Sequence, residues 1–147
     1  SNEVMTEFVR NNNLINDIMV DRRGRLWVGC YKGVFRYDEK KNVFESMDPD
    51  TLEAGMDDST VNSLIEDSLG NVWAARWGSL TMTSDGGKLL KVIGAKDGFG
   101  DREIKGLSLD YAGNIWVGNH EGLYCYKVAG DQLIRFTMND GLLNNNT

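Results

Sequence analysis

Three short stretches of this 147-residue chain hold groups capable of chemistry: Cys30-Tyr31-Lys32, Arg76-Trp77-Gly78 and Asn119-His120-Glu121. Aromatic rings such as Tyr31 and Trp77 can stack on the apolar faces of a sugar ring, while Arg76, Asn119 and His120 can hydrogen-bond hydroxyl groups. These five residues are the candidate ligand-binding set. Trp77 is the strongest member, because the three other tryptophans share a repeated position and it does not.

Catalytic and metal-binding arrangements fail on their spacing. His120-Glu121 matches the dipeptide at which histidine kinases accept phosphate, but its flanks (GNHEGLY) lack the periodicity of a helix. The pair does not begin a zinc-binding H-E-x-x-H, since position 124 is Tyr and His120 is the sole histidine. Asp97-Gly98-Phe99-Gly100 reads as a turn, because no G-x-x-x-x-G-K follows it. The acidic stretch from Asp48 to Asp58 lacks the ligand order of a calcium loop and reads as a solvated connection. Asp21, Asp67 and Asp110 recur at one position of a repeat, whereas catalytic carboxylates converge on one point with different acidities. The expectation is no catalytic residue, no metal and no cofactor.

The elements that position these groups repeat. Trp27, Trp73 and Trp116 stand 46 and 43 residues apart, and the segments INDIMVDRRGRLWVG, VNSLIEDSLGNVWAA and IKGLSLDYAGNIWVG align without gaps. Each begins with a strand of alternating aliphatics and ends it at Asp21, Asp67 or Asp110. Gly24, Gly70 or Gly113 follows three residues later, and D-x-x-G is a tight-turn pattern. A second strand carries the tryptophan, whose ring is expected to pack between blades. A third and a fourth strand complete each unit: VFRY and VFESM, LTMTS and LLKVI, LYCY and LIRFT. The middle hairpin is expected to differ locally, since Ala75 and Ser79 replace glycines found in the other copies.

The fold class is therefore all-β: three four-stranded antiparallel blades of a partial, open propeller. The expected divisions are 1–14, a tail of a preceding blade or a linker, then blades at 15–60, 61–103 and 104–146. Propellers close with four to eight blades. Three blades leave bare faces, so self-association is expected, as a dimer of halves imitating a six-bladed ring. In such blades the turn after strand two and the linker after strand four share a rim, so the candidate residues collect there with linkers 48–59, 94–102 and 139–146.

A net charge of −6 opposes binding to a phosphate backbone, so nucleic acid is not an expected partner. No run is long enough to insert in a membrane, and no basic-then-apolar leader opens the sequence. Cys30 and Cys125 occupy different columns and form no C-x-x-C.

The pattern I-x-x-I-x-x-D-x-x-G-x-x-W-V-G-x-x-x-G-L-x-x-Y resembles the two-component regulator propeller repeat. Residues 15–37 and 104–126 match it closely, and 61–83 match through Trp73. The resemblance implies a piece of the periplasmic sensor of a membrane-anchored hybrid histidine kinase, responsive to oligosaccharides and flanked by further blades. It implies ligand binding without catalysis in this chain. The rival readings are a protein–protein interaction scaffold and a lyase or lactonase with metal ligands lining a central channel.

Overall fold

The computed structural model describes residues 2–12, 14–49, 56, 58–99 and 103–136. Linker 139–146 and parts of the other two linkers lie outside the described residues. Helix α1 (Asn2–Asn11) precedes twelve strands in three sheets. The first sheet comprises β1 (Ile15–Val20), β2 (Leu26–Cys30), β3 (Gly33–Asp38) and β4 (Val43–Ser46). The second comprises β5 (Val61–Glu66), β6 (Val72–Arg76), β7 (Ser79–Thr83) and β8 (Leu89–Ile93). The third comprises β9 (Ile104–Leu109), β10 (Ile115–Asn119), β11 (Gly122–Lys127) and β12 (Gln132–Phe136). Every sheet is antiparallel with its strands in sequence order. The architecture is thus three propeller blades, open rather than closed.

The D-x-x-G turns do more than reverse the chain. Asp21 Oδ1 accepts from the amides of Arg23 and Arg25, both at 2.9 Å, and Oδ2 accepts from Trp27 Nε1 at 2.8 Å. Asp67 and Asp110 repeat the arrangement, taking Trp73 Nε1 and Trp116 Nε1 at 2.9 Å. Gly24, Gly70 and Gly113 close the turns with φ of 81°, 87° and 86°, a region costly for any residue with a Cβ. Each carboxylate so fixes the turn and the tryptophan of its own blade. The Trp27 and Trp116 bonds hold Asp21 and Asp110 below the ordinary carboxyl pKa. At Asp21 burial opposes this most strongly and is outweighed, while at Asp110 the tryptophan bond is the leading cause.

The core lies between blades rather than within them. Trp27, Val34, Val61, Leu64, Val72 and Ala74 fill the first junction; Trp73, Leu80, Ile93, Phe99, Ile104, Ile115 and Tyr126 fill the second. The first strands of successive blades run side by side at the inner edge. In each, the second residue (Asn16, Asn62 or Lys105) is an extra residue in the pairing with the next strand, a β-bulge found three times over. The two asparagines so displaced reach across: Asn16 Nδ2 donates to Val61 O and Asn62 Nδ2 to Ile104 O, both at 2.9 Å.

The segment expected as a blade tail or linker forms helix α1. In α1, Phe8 stacks on Phe44 at 3.9 Å and meets Phe35 edge-on at 5.2 Å. Ahead of the third blade, Phe99 lies on Tyr124 at 4.9 Å, and Gly98 sits beside Leu133. Register makes Phe35 and Tyr124, and Phe44 and Leu133, equivalent. Phe8 of the helix therefore packs on blade 1 at the position where Phe99 packs on blade 3.

The middle hairpin differs from the others. Its turn is Trp77-Gly78, with positive φ at Gly78 (74°), whereas the first hairpin places it one position later, at Gly33 (123°). Cys30 and Cys125 are both buried free thiols.

Candidate functional site

The rim opposite the D-x-x-G turns gathers the strand two–three turns and the linkers. Ser59 Oγ donates to Tyr31 O at 3.1 Å, and Trp77 forms a backbone bridge with Glu103. The first two turns thus rest on the segments leading into the following blades.

Arg76 is removed from the ligand-facing set. Its side chain is fully buried and forms a two-pronged pair with Asp48, Nη1 to Oδ2 at 2.9 Å and Nη2 to Oδ1 at 2.5 Å. Nε donates to Thr81 Oγ1 at 3.0 Å, and Nη1 also to Ser59 O at 3.1 Å. The guanidinium fastens the first linker onto blade 2, and its donors are directed inward. Asp48, part of the acidic stretch, is held there as its counter-charge.

Asn119 is also engaged. Its Oδ1 accepts from the amides of Glu121 (2.8 Å) and Gly122 (3.1 Å), while its buried Nδ2 has no hydrogen-bond partner among the described residues. Tyr31 is half-buried, with Lys32 Nζ 5.6 Å from its ring centroid. His120 is exposed, and Trp77 is 44% exposed.

A polar cluster adjoins Trp77. Glu103 Oε2 accepts from Lys105 Nζ at 2.7 Å, and Oε1 accepts from Asn62 Nδ2 at 3.0 Å. Lys105 is the chief cause that holds the Glu103 carboxyl below its ordinary pKa, with burial opposing and with Asn62 and the nearby His120 contributing. The result is an exposed indole on a segment bridged to Glu103, whose carboxylate holds an ammonium and a carboxamide. Such a set can stack on an apolar ring face and bond neutral hydroxyls in both directions. Asn62, Glu103 and Lys105 escape sequence reasoning because they belong to strand starts. The repeated bulge that turns Asn62 and Lys105 outward is a backbone feature without a residue signature.

A hollow of about 410 Å³ lies between α1 and the opposite rim, lined by Met5, Arg25, Arg36, Tyr37 and Lys40 among others. Arg25 is already paired there with Asp21 and Asp85. Among the described residues no group of three or more His, Cys, Asp or Glu side chains could hold a metal ion.

Fold and site together define an open segment of a β-propeller with a polar, aromatic rim. The family model for the two-component regulator propeller matches residues 10–32, which cover the first strand, the D-x-x-G turn and Trp27. The resemblance read from the repeated residues is thereby supported. No curated protein matches the chain.

Among solved structures, the extracellular domain described as that of a hybrid two-component system from B. thetaiotaomicron superposes with a TM-score of 0.70 at 23% identity, over 88% of this chain. The extracellular domain of a one-component system from the same organism gives 0.68 at 28% identity over 86%. This chain spans 17% of the length of each. Virginiamycin B lyase from Staphylococcus aureus also shares the fold, with a TM-score of 0.64 at 15% identity, over 84% of this chain and 41% of the lyase. No helix among the described residues is long and apolar enough to cross a membrane.

Proposed function

We propose that this chain is a ligand-binding, non-catalytic part of a two-component sensor, facing the periplasm and responsive to an oligosaccharide. The observation that carries the reading is Trp77, a half-exposed indole whose backbone bridges Glu103, the acceptor of Asn62 and Lys105. A sugar ring offers an apolar face to the indole and hydroxyls to the network. The fold shared with extracellular two-component domains supports a sensing context.

The test is titration of the chain with a panel of oligosaccharides, read by tryptophan fluorescence and calorimetry. At least one oligosaccharide should bind and quench the indole emission, and Trp77→Ala should abolish that binding. If no oligosaccharide binds, or if Trp77→Ala binds unchanged, the reading is lost. Hydrolase, lyase or kinase activity in the purified chain would also remove it.

A further inference from the structure

The rim that carries Trp77 repeats from blade to blade in two columns. The turns between the second and third strands are two-residue loops in all three blades, closed by the pairs Cys30–Gly33, Arg76–Ser79 and Asn119–Gly122. The first residue of each loop is Tyr31, Trp77 or His120, so a ring stands at one equivalent position in every blade. Tyr31 is half-buried, and Trp77 and His120 are exposed. The positions on either side share no residue type: one reads Cys30, Arg76 and Asn119, the other Lys32, Gly78 and Glu121.

The second column is polar. The bulge residues Asn16, Asn62 and Lys105 lie at the same end of the blades, since each first strand begins where the second ends. They are joined across both junctions. Asn16 Nδ2 donates to Asn62 Oδ1 at 3.4 Å, and Asn62 Nδ2 donates to Glu103 Oε1 at 3.0 Å. Glu103 Oε2 in turn accepts from Lys105 Nζ at 2.7 Å. A continuous line of hydrogen-bonding side chains therefore runs from blade 1 to blade 3. Lys105 is half-exposed, and among the described residues it uses one of its three donors, leaving the others for a ligand.

We propose that this rim is a track for an extended oligosaccharide, which lies across the blades with one ring over each of Tyr31, Trp77 and His120 and its hydroxyls along the line from Asn16 to Lys105. The proposal rests on the sugar reading of Trp77 and adds the form of the ligand: a linear chain, not a single sugar or a disaccharide. Stacked sheets stand roughly 10 Å apart, so neighbouring stations are separated by more than the length of one sugar ring. A disaccharide fills one station, and a chain of about five or six rings is needed to reach all three. A repeating chain offers the same apolar face at regular intervals, matching a column that recurs once per blade. The middle station is the strongest, because the indole presents the largest ring.

Calorimetry on the whole chain tests this, with size-fractionated linear glucan, mannan, xylan and galactan oligosaccharides from disaccharide to hexasaccharide. In a series that binds, affinity should rise with length, and the hexasaccharide should bind at least about tenfold more tightly than the disaccharide. Tyr31→Ala and His120→Ala should each weaken the hexasaccharide about three- to tenfold, the fold-change of one aromatic contact, and leave the disaccharide unchanged. Trp77→Ala should abolish both. Circular dichroism, with the unchanged disaccharide affinity, verifies that the flanking variants are folded. A hexasaccharide that binds no tighter than the disaccharide overturns the track and leaves the Trp77 site standing. So does a flanking variant that keeps the full hexasaccharide affinity, or one that is folded and loses both ligands equally. If no member of any series binds, or if binding ignores Trp77→Ala, the sugar reading fails and the track fails with it.

Discussion

The two rims of the blades are built from the same three repeats, yet they treat them differently. On one rim Asp21, Asp67 and Asp110 perform the same task, each gripping a tight turn and the indole of its own blade. On the other rim a single column reads Cys30, Arg76 and Asn119, and each side chain meets a different partner. Cys30 lies against Asn12, Arg76 against Asp48, and Asn119 against its own turn. Bonds that close within one blade see the same surroundings in every copy, so one residue serves throughout. Side chains that meet a linker see surroundings that change from copy to copy. A repeat can vary there without losing its fold, and ligand chemistry has room there too.

The sharpest way to break this contrast is Arg76→Met. It strands the buried Asp48 carboxylate and should cost about 3–5 kcal/mol in urea unfolding, the range for breaking a buried pair from one side. Adding Asp48→Asn should recover much of that loss. Failure to recover it would mean that Arg76 acts through packing rather than through its charge.

On the uniform rim, Asp67→Ala removes the acceptor of two backbone amides and of Trp73 Nε1, and should cost about 2 kcal/mol. The matching change at Asp110, which is less buried, should cost less. Equal losses would show that burial is not what scales the effect.

Acid should act on the same rim. Asp21 and Asp110 are held below their ordinary value of 3.8, so their contribution is complete above it and is lost as the pH falls from there through the lower folded values. Stability measured between neutral pH and pH 3 should decline only toward the acid end. In the double variant Asp21→Asn, Asp110→Asn the decline should be shallower. The smallest effect on folding belongs to Trp77→Ala, at about 0.5 kcal/mol in unfolding. Its consequence should be seen in ligand titration instead.

Much of the fold was legible from the residues. The D-x-x-G turn and the tryptophan interval are local patterns, and each four-stranded unit follows from alternation and turn chemistry. The link from each aspartate to its tryptophan six residues on was also open to reading, since it lies within one repeat. The site was legible only in part. Trp77 stood apart because it breaks the repeat, but Arg76 beside it had the same apparent status and turned out to be buried. Neighbours in sequence at the end of a strand point in opposite directions, and which of the two meets a linker depends on where that linker travels.

The sequence by itself determined three antiparallel blades, their register and the face on which variation collects, because all of these follow from contacts a few residues apart. Tertiary structure alone decided the partner of Arg76, the packing of α1 through Phe8 on Phe35 and Phe44, and the grouping of Asn62, Glu103 and Lys105 next to the strand bridge at Trp77. Those outcomes rest on contacts between blades, where a one-residue bulge or the path of a connection redirects a side chain without any mark in the local sequence.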